Sequence, residues 1–593
     1  MREHYHMLRC NMNGAQALVE TLIQYDTEVV FGLPGDTTVD LYDALYAQSR
    51  ANGGSPRITH LMARDERSAA FMADVYARLS GKPGICEGPS GGGATYMLPG
   101  VVEAQGSAVA LIALTTDNPV SYAAQGALTD LDQPQIYRSV TKWTSVVKHP
   151  DMVPRFLRRA FRLATSGRPG AVHLSLPKDV LSGDTTAAPR LYSEPACKSW
   201  PSYRTRPAAG AVSRAVRRLL VAERPVIVAG GGAVSSGAFA ALRGVSEFLN
   251  APVATTINGK GAVAETRTLS LGTVGANAGR PYAAQVLGEA DLVLFVGSRV
   301  NYVDTDSWRY PSLANPPIIL QIDVDPAEIG NNYPIDEGLC GDAKTTLADL
   351  LQALEESGNS PPDRGKWLEQ IAAQKAAWRS QTRKLAQSSQ MPIAPRRVIA
   401  ELQSILPEEA VLVCDPGTPT PFVAAEFEQR YPGRKVVIPR AQGGLGYAIP
   451  GVVGARLARP DQAVVGLCGD GSFAMSAGDL ATVARVGGPT VLILFNNGCY
   501  GWIKALQELY HGGRYYSVDF DEDVSYTDIA RGFGLRSRQV SDPGEIGPAL
   551  REALGHGTPA LIEVLVVPEH QADTPVAPWQ RAEAARRTES VAD

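Results

Sequence analysis

The chain has 593 residues, 44% of them apolar and 20% charged, with a formal net charge of −5. That length implies several domains, and the small negative charge gives no case for nucleic acid or an anionic membrane surface as a partner. No apolar stretch approaches bilayer-spanning length, the N-terminus has no signal-peptide core, and the seven cysteines form no CxxC pair, so a reduced, cytoplasmic α/β protein is expected.

From about residue 14 to 180, short apolar strands alternate with helical patterns: Val29 to Gly32, Ile58 to Met62, Ala108 to Leu114 and Ala171 to Leu176. A polar, proline-bearing stretch from Ser193 to Pro207 reads as a linker. A second α/β pattern runs from about 210 to 354, with strands at Pro225 to Ala229, Pro252 to Thr256, Leu292 to Val296 and Ile318 to Asp323. Its first strand leads into Gly230-Gly231-Gly232, which resembles part of a dinucleotide fingerprint. The full spacing is only approximate, so a nucleotide turn and a ligand-free glycine turn both stay open. A polar segment, Glu355 to Met391, marks the next boundary, and a third α/β block follows from about 392 to 567. Beyond Pro568 the sequence is polar, as for a flexible tail unless it folds over a site. The expected organisation is therefore three doubly wound parallel sheets, in domains at 10–185, 205–355 and 390–567, with a tail at 568–593.

The third block carries the most chemistry. Ala463 to Cys468 reads as a buried strand, Ser476 to Arg485 as a helix, and Pro489 to Phe495 as a second strand. Such a crossover is right-handed, so both strands run parallel and end on one edge, where open α/β sheets bind ligands. Asp470, in Gly469-Asp470-Gly471, ends the first strand, and Asn497, in Asn496-Asn497, ends the second. A hard divalent cation shares oxygen ligands between one or two protein groups and a phosphate. Asp470, the amide oxygen of Asn497 and the main-chain carbonyl of Cys499 are the candidate metal ligands. Gly471 and Ser472 open the helix, so their N–H groups can face a phosphate. An isolated GDG also reads as a tight turn; the paired asparagines favour the metal reading. The Cys499 thiol has no motif histidine to activate it, which leaves its main-chain oxygen as the contribution.

Five ordered motifs extend this signal over residues 14 to 567: Val30 to Gly35, Arg64 to Arg78, Ser90 to Thr95 with Val140 to Trp143, Ile322 to Gly330, and Gly443 to Pro450 ahead of the metal motif. In these the chain resembles the acetolactate synthase-like branch of the thiamine-diphosphate enzymes. The resemblance implies pyrimidine-binding, central Rossmann-like and diphosphate-binding domains, with thiamine diphosphate and Mg2+ as cofactors. It makes Glu66 the activating catalytic acid, hydrogen-bonded to the cofactor's aminopyrimidine, although the residues alone also read Glu66 as a helix-start acid. It places Leu445 as the apolar wedge that bends the cofactor, and Gly417, Thr418, Gly443, Gly469, Gly471, Ser472, Tyr500 and Gly501 around the diphosphate.

The implied function is a carboligase that decarboxylates a 2-oxoacid such as pyruvate and transfers the fragment to a carbonyl acceptor. The alternative is a simple 2-oxoacid or acyl-CoA decarboxylase or lyase. The implied assembly is a homodimer or homotetramer with sites between subunits, and retention of Glu66, Asp470 and Asn497 argues against a non-catalytic homologue. Departures from the family pattern stand at Leu128-Thr129-Asp130, Gly91 to Tyr96, Gly297 to Tyr302 and Leu271 to Ala276. They leave the acceptor open, along with the central ligand: FAD, an ADP or CoA moiety, or none. Leu128, Thr129, Trp502 and Lys504 are the expected substrate screen.

Overall fold

The computed structural model describes residues 12–186, 191–360, 362–520 and 523–592. The chain divides into two compact units, with the division after Tyr203, inside the polar stretch read as a linker.

The first unit holds six parallel strands: β1 (Val29–Gly32), β2 (Thr59–Met62), β3 (Gly84–Gly88), β4 (Leu111–Asp117), β5 (Trp143–Val146) and β6 (Ala171–Pro177), in the order β2-β1-β3-β4-β6-β5. Helix α1 (Glu66–Ser80) follows β2. Nearly every position of α1 is buried, because its small residues Ala69, Ala70, Ala73 and Ala77 let neighbours approach closely. Three details differ from the sequence reading. The strand placed at Ala108 begins only at Leu111, since Ala108 takes φ +55° in the turn before it. Strands β3 and β5 were not expected: β3 (GICEG) opens and closes on glycine, and β5 lies half-buried at the sheet edge.

The second unit contains two further six-stranded parallel sheets. The central one is built from β7 (Pro225–Ala229), β8 (Val253–Thr255), β9 (Ser270–Thr273), β10 (Leu292–Val296), β11 (Ile318–Asp323) and β12 (Glu337–Cys340), ordered β9-β8-β7-β10-β11-β12. This is the 3-2-1-4-5-6 winding of dinucleotide-binding folds. The last sheet comprises β13 (Val411–Cys414), β14 (Val436–Val437), β15 (Val464–Gly469), β16 (Thr490–Asn496), β17 (Arg536–Val540) and β18 (Ala560–Leu565), ordered β14-β13-β15-β16-β18-β17. Its helices include α2 (Pro419–Glu426), α3 (Asp470–Ala474) and α4 (Gly501–His511). Between β15 and β16 the expected single helix is broken into α3, a 3-10 turn and the helix Leu480–Val486.

Two stretches read as polar are structured. The segment from 355 to 391 contains a helix, Gly365–Ala386, that buries Trp367, Ile371 and Lys375, a single side chain per turn and too thin a stripe to register as amphipathic. The segment from 568 onward is a correction to the flexible tail. Glu569 is buried, and α5 (Ala577–Ala592) packs Trp579 against Ala505 and Leu509 of α4. Few apolar residues carry that docking, so composition concealed it.

Within this unit three buried charges tie the central sheet to α2. Glu265 pairs with both Lys260 and Arg280, all three about 1% exposed. Lys260 Nζ donates to Ala424 O at 3.2 Å, Arg280 Nε to Ala425 O at 2.9 Å, and Thr273 Oγ1 to Ala424 O at 2.8 Å. Cations therefore meet the carbonyl end of α2, where the helix dipole favours them.

Candidate active site

Strands β15 and β16 are direct parallel neighbours, with Gly469 opposite Phe495, so Asp470 and Asn497 stand at adjacent strand tips. Asp470 is 2% exposed. Its Oδ1 accepts the Gly471 N–H at 2.8 Å, and its Oδ2 accepts those of Asn497 at 3.0 Å and Gly498 at 2.8 Å. Burial pushes its pKa up, and these three N–H groups pull it back down. A carboxylate has about four acceptor positions, so three bonds fix its orientation and leave room for one more. The Gly471 N–H, expected to face a phosphate, is held here by Asp470 itself. The Asn497 Oδ1 accepts the Cys499 N–H at 3.2 Å, and the Cys499 carbonyl accepts the Gly501 N–H at 2.9 Å. Burial pushes the Cys499 thiol up to about 12, which suits a main-chain role rather than a nucleophile.

A cavity of about 340 Å³ opens in front of these tips. Gly417, Thr418, Gly443, Leu445 and Gly469 line it, together with Asp470, Gly471, Ser472, Cys499, Tyr500 and Gly501. The structure thus brings together the residues expected around the diphosphate, with Leu445 and Cys499; Asn497 stands just behind, bonded to Asp470. Gly417 (φ +107°) and Gly443 (φ +68°) have backbones only glycine adopts readily, and a Cβ on either would meet nothing within 4 Å. That is open space a bound group can enter closely. Gly471 has a different reason: a Cβ there would lie 2.6 Å from the Tyr500 ring. Behind the wall, Asp415 Oδ1 accepts the Tyr447 N–H at 2.6 Å while the buried Oδ2 has no partner, and burial raises this acid to about 7. A glycine-lined approach and a mostly neutral oxygen donor set fit the charged end of thiamine diphosphate.

In the first unit, Glu66 opens α1 directly after the N-cap Asp65, whose side chain takes the Arg67 N–H at 2.7 Å. Glu66 is 6% exposed. Burial raises its pKa, opposed by a backbone hydrogen bond and reinforced by the charges of Asp65 and Glu87. Glu87 is itself buried, bonded to Tyr42 Oη at 2.6 Å and His60 Nε2 at 3.0 Å. Glycines make the room for Glu66: a Cβ on Gly93 would come 3.0 Å from its Oε1.

Three family models match in chain order: "Thiamine pyrophosphate enzyme, N-terminal TPP binding domain" over residues 12–136, the central domain over 212–350, and the C-terminal TPP binding domain over 416–564. A probable acetolactate synthase large subunit of Methanocaldococcus jannaschii is 33% identical over 565 residues, covering 94% of this chain and 92% of the relative. The chain belongs to the thiamine pyrophosphate enzymes, in their acetolactate synthase-like branch. The acetolactate synthase isozyme 3 large subunit of Escherichia coli is 32% identical (92% of each chain). The acetolactate synthase large subunit of Corynebacterium glutamicum is 30% identical (94% of this chain, 87% of the relative).

Not every expected site residue of this thiamine pyrophosphate enzyme meets the cavity. Trp502 lines it and packs on Trp579 of α5, ring centroids 4.5 Å apart, whereas Lys504 is engaged by Asp519 and the Tyr515 ring. Leu128 and Thr129 sit in a first-unit loop, Leu128 83% exposed and Thr129 at φ +64° with its hydroxyl 2.7 Å from Ser90 Oγ. The glycines at 230–232 have a packing reason: Cβ atoms on Gly230 and Gly232 would meet the backbone of Gly297 at 2.3 and 2.8 Å.

Sequence reasoning passed over Arg440 and Asn277, which line the cavity, and Glu569, which stands behind it. Glu569 is fully enclosed, its pKa raised to about 7 by burial and opposed by the Thr418 hydroxyl bond. No motif spacing marks any of the three. Among the described residues no cluster of three or more His, Cys, Asp or Glu is placed to hold a metal ion, and no helix is long and apolar enough to cross a membrane.

Proposed function

We propose that this enzyme is an acetolactate synthase-like carboligase, which decarboxylates pyruvate or a related 2-oxoacid and joins the acyl fragment to the carbonyl of a second molecule. Relatives carrying the acetolactate synthase name match it over more than nine-tenths of its length. The observation that carries the site reading is the convergence of the diphosphate residues on one cavity beside Asp470.

When bound, thiamine diphosphate supplies a ring-carbon nucleophile and an electron sink for decarboxylation. In our reading Asp470, Asn497 and the Cys499 carbonyl hold Mg2+ against the diphosphate, and Gly417 and Gly443 let backbone come close, with Thr418, Gly469, Gly471, Ser472, Tyr500 and Gly501 beside them. Leu445 supports the cofactor's bend, which is proximity obtained by sterics. Glu66 keeps a proton on its carboxyl and presents it to a ring nitrogen; burial and like charge favour that form. We propose a homodimer or homotetramer in which Glu66 of one protomer serves the cofactor of another, and place it in the cytoplasm, in keeping with the free cysteines among the described residues. Gly230 and Gly232 are accounted for by packing on Gly297, and the central sheet's ligand, a flavin, another nucleotide or none, stays open.

The test is incubation with pyruvate, thiamine diphosphate and Mg2+, followed by mass spectrometry of products with a panel of carbonyl acceptors. Acetolactate or a mixed acyloin is expected. Carbon dioxide with free aldehyde as the only product rejects ligation and leaves a decarboxylase.

A further inference from the structure

Glu569 lies beyond the last strand of the diphosphate-binding sheet, yet it is 2% exposed and touches both halves of the site. One carboxylate oxygen accepts Asn497 Nδ2 at 2.9 Å, and the other accepts the Thr418 hydroxyl. A Cβ on Gly501 would fall 1.7 Å from Glu569 Oε2, so the glycine there is required by this carboxylate. Among the described residues neither Glu569 nor Asp470 has an ion-pair partner. Two acids are thus enclosed near one another without an ion pair to either, a setting that a bound cation relieves.

The chemistry of the amide gives Glu569 a task. A primary amide has a donor end and an acceptor end, and a carboxylate only accepts. Holding Asn497 by its Nδ2 turns Oδ1 away from Glu569; the reversed amide would set oxygen against oxygen. We propose that Glu569 is the positioning residue of the cation site, fixing the Asn497 amide so that its oxygen is the end offered to a divalent metal, while tying Thr418 of the diphosphate turn to the same point. This rests on the cation reading above. It also gives the ordered C-terminal segment a purpose, since Glu569 arrives on the stretch that α5 anchors through Trp579.

The experiment measures Mn2+ binding by electron paramagnetic resonance in the full chain with thiamine diphosphate present. Glu569→Leu keeps the bulk but has no polar atom, so it frees the Asn497 amide, whereas glutamine could keep that bond through its own oxygen. Outer partners of metal ligands are typically worth about 10–100-fold in affinity, and a loss in that range is expected. The Mg2+ concentration for half-maximal turnover should rise in step, with kcat at saturating Mg2+ and the melting temperature of the metal-free protein little changed. Glu569→Asp keeps the charge but loses the reach, and should weaken binding as well. Unchanged Mn2+ affinity in these variants overturns the inference, as does a lowered metal-free melting temperature with affinity intact. Asp470→Asn separates the two claims: if it too leaves Mn2+ binding intact, the cation reading falls first.

Discussion

The sheet of the first unit and the last sheet of the second are wound alike, both 2-1-3-4-6-5 in order of appearance, yet they carry their acids after different strands. In the last sheet the third strand, β15, ends in Gly469-Asp470-Gly471. The matching strand of the first unit, β3, runs instead into Pro89-Ser90-Gly91, and the acid, Glu66, follows the second strand, β2. The two carboxyls are also treated differently. Asp470 is clothed by three backbone N–H groups, which hold it as an acceptor. Glu66 faces burial and two like charges, which favour keeping its proton. One winding therefore provides two similar rims, and on the function proposed above the side chains at each tip decide whether the rim grips a cation or manages a proton.

That contrast breaks most visibly under mutation of the two acids. Glu66→Gln should lower turnover by roughly 10²–10⁴-fold, the usual worth of a positioned acid or base, while thiamine diphosphate binding, followed by tryptophan quenching, changes little. Asp470→Asn should instead lose metal and cofactor retention. If Glu66→Gln released the cofactor, or Asp470→Asn lowered kcat with binding intact, the division of labour would be wrong. The pH profile sharpens it further. A raised pKa keeps Glu66 protonated to higher pH, so turnover should decline on the alkaline side, and the glutamine variant should lack that limb.

A second contrast concerns how each unit buries charge away from its rim. The first encloses one cation between two acids, Arg78 with Asp74 at 2.8 Å and Glu103 at 2.9 Å. The second encloses one acid, Glu265, between Lys260 and Arg280. Removing the shared member strands two like charges in the interior, and breaking buried pairs costs about 3–5 kcal/mol. Arg78→Ala and Glu265→Ala should each lower the melting temperature, visible by calorimetry, with Glu265→Ala also loosening α2, whose terminal carbonyls Lys260 and Arg280 hold. A melting temperature within a degree of the parent in either variant would mean that the triad there adds nothing to stability.

The parts of this molecule that were legible in sequence are those whose signals are local. Asp470 and Asn497 each sit within a few residues of their strand, so the spacing of apolar runs was enough to bring them to one edge. The alternation of strands and helices implied parallel sheets, but it carried no strand order; that is set by packing between distant elements, and edge strands such as β17, mostly exposed, leave little apolar pattern to read. Glu569 illustrates the rest. Its partners lie 72 and 151 residues away in the chain, and nothing in a polar stretch of sequence announces a contact of that range.

The smallest expected effect bears on whether burial alone accounts for raised acids. Glu426 ends α2, buried and away from the diphosphate cavity, and desolvation lifts its pKa to about 7 despite Arg396 at 3.3 Å. The sign follows from linkage. An acid whose pKa is higher folded than unfolded adds stability below its unfolded value, near 4.5, and loses it as pH climbs through 7. Glutamine in its place has no such loss, and Arg396 keeps a partner in the Asp573 carbonyl at 2.6 Å. Glu426→Gln should therefore match the parent at pH 5 and exceed it at pH 8 by on the order of 2 kcal/mol, a few degrees of melting temperature. Turnover should stay unchanged, which would set Glu426 apart from Glu66: the same desolvation, without the role proposed for Glu66. A parent that is the more stable of the two at pH 8 would mean that Arg396 outweighs burial at this position, and that burial by itself is too weak an explanation for Glu66 as well.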